Sequence, residues 1–202
     1  MLNVDDLTVI RGGIAVLSGL TFALAPGEVL ALRGPNGVGK TTLLRTIAGL
    51  QPPRAGGISA AGLAYQAHAD GLKAALTARE NLQFWADIHG VADTGAALAQ
   101  MGLGAEADRP VATLSAGQKR RLGLARLLMT GAALWLLDEP TVSLDAASVV
   151  LFNRMLGAHL TQGGAALIAT HLDLEGEGRV LDLMPFRASA GDFCDDFDGA
   201  FG

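Results

Sequence analysis

The sequence contains little cysteine, few aromatic residues and no excess of basic charge. Its 202 residues include one cysteine, Cys194, so no internal disulfide can form and we expect a cytosolic protein. Fifteen basic residues against 20 acidic ones leave a net charge of −5, which disfavours nucleic acid as a partner. Acidic residues precede the first basic residue at the N-terminus, unlike the start of a secretory signal peptide.

Long apolar runs are also absent, although half of the residues are hydrophobic. The uncharged segment 12–27 holds 16 residues and is interrupted by four glycines and Pro26. A membrane-spanning helix needs about 20 mostly apolar residues, so we expect no direct membrane span. The apolar residues must instead fill a core or contact a partner protein.

Short apolar runs alternate with helical patterns, which is typical of an α/β fold with a mostly parallel sheet. The runs 29–32, 134–137 and 166–169 are almost continuously apolar, as expected for strands buried on both faces. Each ends in polar residues, so ligand chemistry is expected at that edge of the sheet. Segments 7–10 and 20–24 predict an antiparallel pair, and 180–183 predicts a late strand.

Between about residues 65 and 113 the pattern predicts helices and no strand. Thr77 and Glu80 form a capping box, so a helix should begin there. Apolar residues then recur every three positions and predict one buried face, made by Leu82, Trp85 and Ile88. Trp85 is interpreted as a core residue, and a docking face for a partner is the alternative.

Residues 34–41 match the phosphate-binding pattern G-x-x-x-x-G-K-[ST], between the strand 29–32 and a predicted helix. The glycines let backbone N–H groups point inward, and the helix N-terminus adds partial positive charge. Lys40 would reach the β- and γ-phosphates, and the Thr41 hydroxyl would ligate Mg²⁺. The predicted nucleotide-binding residues here are Gly34, Pro35, Asn36, Gly37, Val38, Gly39, Lys40, Thr41 and Thr42.

Two adjacent carboxylates, Asp138 and Glu139, end the strand 134–137. Their burial is costly unless a cation compensates their charge, and Mg²⁺ with a nucleotide would do so. Because side chains alternate along a strand, we expect the two to point in different directions and to have different roles. Asp138 would hold Mg²⁺ through its water shell, and Glu139 would act as general base toward the attacking water.

The segment Leu114-Ser-Ala-Gly-Gln118, here called the signature loop, resembles the signature of ATP-binding cassette (ABC) ATPases, with Ala116 in place of the usual glycine. Ser115 is a predicted N-cap with Gln118 at the N3 position. Two further family motifs follow in order, the D-loop at 142–145 and a switch histidine, His171. The resemblance covers residues 3 to 185.

This resemblance implies the P-loop NTPase fold of an ABC nucleotide-binding domain, with an antiparallel N-terminal β part and an inserted helical arm. It implies one domain over 1–202, with a core at 1–66 and 113–187, a helical subdomain at 67–112 and an acidic tail at 188–202. It further implies ATP and Mg²⁺ as ligands, with Glu139, His171 and Lys40 as catalytic residues. In this family two copies enclose ATP, so the second copy would contribute Ser115, Ala116, Gly117, Gln118 and Asp145.

Two positions differ from the common family pattern. Arg11 stands where many cassettes place an aromatic residue under adenine, and its guanidinium could stack on the base or remain solvated. In the Q-loop, either His68 or Gln66 could serve as the residue that hydrogen-bonds a metal-bound water. Alignment to the Thr77 helix slightly favours His68.

The short length, the Ala116 variant and His68 together resemble the haem exporter ATPases of bacterial cytochrome c maturation. That resemblance implies a peripheral protein on the cytoplasmic face of the bacterial inner membrane, bound to integral membrane permease subunits. ATP hydrolysis would then drive haem export. The alternatives are an ABC transporter for another substrate or, less favoured, a soluble ABC ATPase without transport.

Overall fold

The computed structural model describes residues 1–60, 62–91, 93–171 and 178–188. Cys194 and the predicted acidic tail beyond residue 188 lie outside these ranges. The strands are β1 (Leu2–Arg11), β2 (Ile14–Leu24), β3 (Val29–Arg33), β4 (Ala55–Ala60), β5 (Leu63–Gln66), β6 (Leu134–Asp138), β7 (Ala165–Ala169) and β8 (Arg179–Asp182). The α-helices are α1 (Lys40–Ile47), α2 (Ala78–His89), α3 (Thr94–Gln100), α4 (Ala116–Ala125) and α5 (Ala146–Thr161).

Five strands form a parallel sheet in the order β5-β6-β7-β3-β8. Their carboxyl ends therefore meet at one edge, where the loop after β3 and the residues after β6 and β7 come together. A second, antiparallel sheet has the order β2-β1-β4. This architecture confirms the predicted α/β class, the three buried parallel strands and the antiparallel N-terminal part.

Strands β4 and β5 were not predicted. β4 has the sequence Ala-Gly-Gly-Ile-Ser-Ala, and five of its six residues are exposed, so it lacks the apolar run of a buried strand. It pairs with β1 through backbone hydrogen bonds, which a sequence pattern does not reveal. β5 has four residues at the edge of the parallel sheet and overlaps the region expected to hold helices only.

Helix α2 begins with the predicted capping box, in which Thr77 and Glu80 each accept from the other's backbone N–H. Its predicted apolar face is partly wrong. Leu82 is buried and Trp85 is half-buried, but Ile88 is 57% exposed. The buried face instead has four-residue spacing, through Ala78, Leu82 and Ala86, so Ile88 falls outside it.

Alternation along the parallel strands divides the core into two layers. Trp135 and Leu137 of β6 face one layer, which packs on the helices of the 78–156 region. Leu134 and Leu136 face the other layer, which packs on α1 and the antiparallel sheet. In the described part of the chain, no helix is both long and apolar enough to cross a membrane.

Candidate nucleotide-binding site

The loop between β3 and α1 has a backbone that requires glycine. Gly39 is the N-cap of α1 with φ of 121°, a region that L side chains rarely adopt. A Cβ at this position would lie 3.0 Å from the Leu17 side chain. Gly37 also has positive φ, at 83°. The loop can therefore wrap the first turn of α1, whose unpaired N–H groups make an anion site.

Lys40 is buried within this loop. Its ammonium donates to the carbonyl oxygen of Gly34 at 2.7 Å and of Pro35 at 3.4 Å. The same nitrogen lies 3.3 Å from Nε2 of His171. The loop thus holds one positive charge at its centre, next to His171, which lies two residues after the end of β7.

One pocket brings together the phosphate loop, the two carboxylates after β6 and Arg11. It is bordered by residues of the loop, the first turn of α1, the end of β6 and the end of β1, namely Arg11, Asn36, Gly37, Gly39, Lys40, Thr41, Thr42, Asp138 and Glu139. The parallel sheet explains this meeting, because β3 and β6 deliver their following residues to the same edge. The pocket combines cationic groups and helix N–H donors with two carboxylates.

Asp138 and Glu139 both border this pocket. β6 ends at Asp138, and Glu139 adopts a left-handed φ of 49°, so the strand alternation from which different directions were expected does not extend to Glu139. Asp138 is 2% exposed, and its Oδ2 has no hydrogen-bond partner among the described residues. A buried carboxylate oxygen of this kind, in a pocket that Thr41 also borders, fits a divalent cation that prefers oxygen ligands.

His171 lies between the phosphate loop and Glu139. Its Nε2 lies 3.3 Å from Oε1 of Glu139 and 3.0 Å from Oδ1 of Asn36. When protonated, this nitrogen can donate to either oxygen, and when unprotonated it can accept from Lys40. His171 is therefore placed to orient the Glu139 carboxylate beside the phosphate loop.

Tyr65 is a neighbour of Asp138 that the sequence did not indicate. Burial and then the negative charge of Asp138 raise the pKa of Tyr65 to about 12, so the phenol stays protonated at neutral pH. Tyr65 lies on β5, directly opposite Leu136 of β6. Because β5 was not predicted, no pattern placed this hydroxyl near the carboxylates.

The signature loop opens α4 with a capping box, in which the Ser115 hydroxyl accepts from the Gln118 N–H and the Gln118 side chain accepts from the Ser115 N–H. Ser115 and Ala116 are exposed. A Cβ at Gly117 would lie 3.1 Å from the carbonyl oxygen of Ser143, so glycine allows the D-loop to approach. Among the described residues that border the phosphate pocket, none belongs to this loop.

Asp145 caps α5 and lies outside the residues bordering the pocket. Its carboxylate accepts from the Ser148 N–H at 2.8 Å. These hydrogen bonds to Ser148 lower the pKa of Asp145, so it is ionised at neutral pH. The preceding Ser143 has φ of 67°, which turns the D-loop sharply before α5.

Neither Q-loop candidate, Gln66 or His68, borders the phosphate pocket. Gln66 is fully buried, and its Oε1 accepts from Nη2 of Arg126 at 2.9 Å. Burial lowers the pKa of this Arg126 guanidinium. His68 is exposed, and its carbonyl oxygen accepts from Arg120. The side chain of Gln66 is thus engaged in the protein interior, whereas that of His68 lies at the surface.

Arg120 makes an extensive set of hydrogen bonds near the site, and the sequence did not single it out. Its guanidinium donates to six oxygens, which belong to Ala67, His68, Asp70, Asp138, Glu139 and Pro140. It lies in a run of three basic residues, 119–121, directly after the signature loop. A buried arginine and an exposed one look alike there, because the neighbouring positions 119 to 121 are all basic.

The fold and the pocket are those of a P-loop nucleotide-binding protein of the ABC type, and comparison with known proteins agrees. Residues 17–142 match the ABC transporter family. The chain is 63% identical, over 100% of its length and 99% of the relative, to the cytochrome c biogenesis ATP-binding export protein CcmA of Rhodobacter capsulatus. The corresponding protein of Ruegeria sp. strain TM1040 is 60% identical over 93% of each chain.

A solved ATP-binding subunit of an ABC transporter superposes with a TM-score of 0.84 at 25% identity, covering 94% of this chain and 88% of that one. The chain belongs to the ABC transporter ATP-binding proteins and, among them, to the family of cytochrome c biogenesis ATP-binding export proteins. It is therefore an ATP-binding ATPase.

Proposed function

We propose that this chain is the ATP-hydrolysing subunit of a membrane transporter that exports haem for cytochrome c biogenesis. The observation that carries the proposal is the single pocket in which the phosphate loop meets Asp138 and Glu139. The full-length similarity to cytochrome c biogenesis export proteins supports the biological assignment.

The phosphate loop would bind the triphosphate through charge and backbone donors. The Lys40 ammonium would contact the β- and γ-phosphates, and the N-terminal N–H groups of α1 would contact their oxygens. Gly34, Pro35, Asn36, Gly37, Val38, Gly39 and Thr42 would complete the cradle. Thr41 and Asp138 would hold Mg²⁺, which supplies compensation for the negative charge of the phosphates.

Glu139 would act as general base in hydrolysis. Its carboxylate would accept a proton from a water as that water's oxygen bonds to the γ-phosphorus, and the bond from this phosphorus to the β–γ bridging oxygen breaks. ADP and inorganic phosphate are the products. His171 would keep the Glu139 carboxylate facing the γ-phosphate through the contact at 3.3 Å.

We infer that two copies of the chain are needed for turnover. The exposed signature loop lies at the positive end of α4 but does not border its own phosphate pocket. A second copy would bring Ser115, Ala116, Gly117 and Gln118 to the γ-phosphate, with Asp145 near the dimer contact. Either His68, which follows β5, or Gln66, the last residue of β5, would hydrogen-bond a metal-bound water beside the nucleotide.

We further infer a peripheral position on the cytoplasmic face of the inner membrane, with integral membrane subunits bound to the helical part at 67–112. Phe84 and Ile88 of α2 are each 57% exposed and lie four residues apart, on one side of the helix. Exposed apolar side chains in such an arrangement suit contact with a partner protein. The core at 1–66 and 113–187 would hold the nucleotide.

Replacing Arg11 with alanine should weaken binding of ATP about fivefold, because stacking of a guanidinium on a base contributes of the order of 1 kcal/mol. Affinity for inorganic triphosphate should stay within about twofold, since Arg11 would contact the base. Isothermal titration calorimetry with both ligands measures this difference. Arg154→Ala, on the exposed side of α5, is the matched control. Equal losses for ATP and triphosphate would contradict stacking.

The assignment to haem export is tested in cells that lack this chain. We expect them to lose haem-containing c-type cytochromes, and the wild-type chain but not Glu139→Gln should restore these. Affinity capture of the chain from solubilised membranes should recover integral membrane proteins together with ATPase activity. Membrane partners with unchanged c-type cytochromes would indicate another cargo, and recovery without any membrane protein would indicate a soluble ATPase.

A further inference from the structure

We propose that Arg120 is a positioning residue for Glu139, and that its ion pair with Asp70 links the orientation of Glu139 to the segment 67–70. The proposal rests on the proposed role of Glu139 as general base. In this proposal, one buried guanidinium connects two parts of the site that are about seventy residues apart in the chain.

Arg120 contacts the backbone directly after β6. Nη2 of Arg120 donates to the carbonyl oxygens of Asp138 at 3.0 Å and Glu139 at 2.6 Å. Nε donates to the carbonyl oxygen of Pro140 at 3.1 Å. One planar group therefore contacts three consecutive carbonyls, which fixes the orientation of every peptide plane in this turn.

This turn needs such support because Glu139 is in the left-handed region, with φ of 49°. This conformation is unfavourable for a residue with a Cβ, and it persists only where surrounding contacts enforce it. On the opposite side, the Glu139 N–H donates to the carbonyl oxygen of Ala169 at 2.8 Å. Arg120 and β7 thus hold the residue from two sides, and its carboxylate is directed to the pocket.

Arg120 also contacts the segment after β5. Nη1 of Arg120 donates to Oδ1 of Asp70 at 2.8 Å and to the carbonyl oxygens of Ala67 and His68 at 3.1 and 3.2 Å. The Arg120 side chain is 4% exposed and that of Asp70 is 23% exposed. A buried guanidinium requires a compensating charge, and the Asp70 carboxylate supplies it.

The geometry makes the two sets of contacts interdependent. The guanidinium is rigid and planar, so a displacement of Asp70 moves the same plane that holds the carbonyls of residues 138 to 140. Asp70 is itself held by Arg126, whose Nη1 donates to the Asp70 carbonyl oxygen at 3.3 Å. Movement of segment 67–70 would therefore change the backbone of Glu139, which determines where its carboxylate points.

The test compares Arg120→Gln and Arg120→Lys in the full-length chain, measured in the membrane complex that it forms. Both variants should lower kcat for ATP at least tenfold, about 1.4 kcal/mol of barrier, with the Kd for ATP within about threefold of wild type. Lysine keeps the charge but cannot reach six acceptors, so it should not rescue turnover. Rescue by lysine would show that Arg120 supplies charge alone and would overturn the proposal.

Arg121→Gln is the matched control. Arg121 is the next residue of α4, and its Nη1 donates to the carbonyl oxygens of Met101 and Gly102, away from Glu139. This variant also removes an arginine that anchors α4 to a neighbouring backbone, so it should lower thermal stability but leave kcat within about twofold. An equal loss of kcat in Arg121→Gln would show that Arg120 only stabilises the helix.

A double variant separates failure of this inference from failure of the proposed function. In a Glu139→Gln background, Arg120→Gln should cause no further loss beyond about twofold, because both changes act on the same group. If the losses of kcat from the two substitutions multiplied, the role of Arg120 would be overturned and the role of Glu139 would stand. Unchanged turnover in Glu139→Gln by itself would instead overturn the role of Glu139.

Asp70→Asn tests the link to segment 67–70 while the Arg120 side chain is kept. It removes the compensating charge but leaves the carbonyl contacts of Arg120 available. We expect kcat to fall about three- to tenfold with the Kd for ATP unchanged. Unchanged kcat would remove Asp70 from the proposal. If Arg120→Gln does not fold, Arg120→Lys and Asp70→Asn give the decisive measurements.

Discussion

Replacing Glu139 with glutamine is expected to slow ATP hydrolysis by about three decades, which corresponds to about 4 kcal/mol of barrier. The amide has nearly the same shape as the carboxylate but cannot accept the proton of the attacking water. Glu139 borders the phosphate pocket and lies beside His171, so the substitution affects turnover directly. Binding of ATP should persist, because the phosphate loop supplies the main contacts.

The measurement is single-turnover hydrolysis of radiolabelled ATP together with an equilibrium titration of ATP. Glu28→Gln is the matched control, since it makes the same chemical change at a carboxylate that pairs with Arg179, remote from the pocket. Its turnover should equal that of the wild type. Near-normal hydrolysis in Glu139→Gln would exclude Glu139 as the base.

Replacing Ser115 with arginine is expected to abolish ATP-induced dimerisation and, with it, turnover. Ser115 is exposed at the start of α4, where the second copy would approach, so a long cationic side chain would block close contact. Loss of the N-cap adds about 1 kcal/mol of destabilisation, which a folded domain tolerates. Each single chain should still bind ATP, because its phosphate pocket does not include the signature loop.

Multi-angle light scattering with ATP, in the slow Glu139→Gln background, detects the dimer. Ser115→Ala separates loss of the cap from the steric block and should retain dimerisation. Ser59→Arg introduces the same side chain at an exposed position of β4 in the antiparallel sheet and should also dimerise. If Ser115→Arg dimerised normally, the two-copy enclosure of ATP would be ruled out.

Features that depend on neighbouring residues were predictable. The phosphate loop and both capping boxes are short motifs whose conformation follows from local hydrogen bonds and glycine freedom, and α1, α2 and α4 begin where expected. The buried parallel strands were equally clear, because burial on both faces requires a continuous apolar run.

Features that depend on distant segments were not predictable. Arg120 contacts residues 67 to 70 and 138 to 140, and nothing in the local pattern distinguishes it from Arg121. Tyr65 lies near Asp138 because β5 pairs with β6, and β5 is the strand that the sequence pattern did not indicate. The positive φ of Glu139 likewise depends on contacts from α4 and β7.

The contact at Gly117 gives the two small residues at the centre of the signature loop unequal room for a side chain. Ala116 is exposed in the single chain, so its methyl group displaces no neighbour within that chain. At position 117, a Cβ would lie 3.1 Å from the Ser143 carbonyl oxygen, so the D-loop would have to shift by a few tenths of an ångström. In the proposed two-copy arrangement, the signature loop and the D-loop both approach the second copy, so a side chain at position 117 would alter the spacing between these two loops.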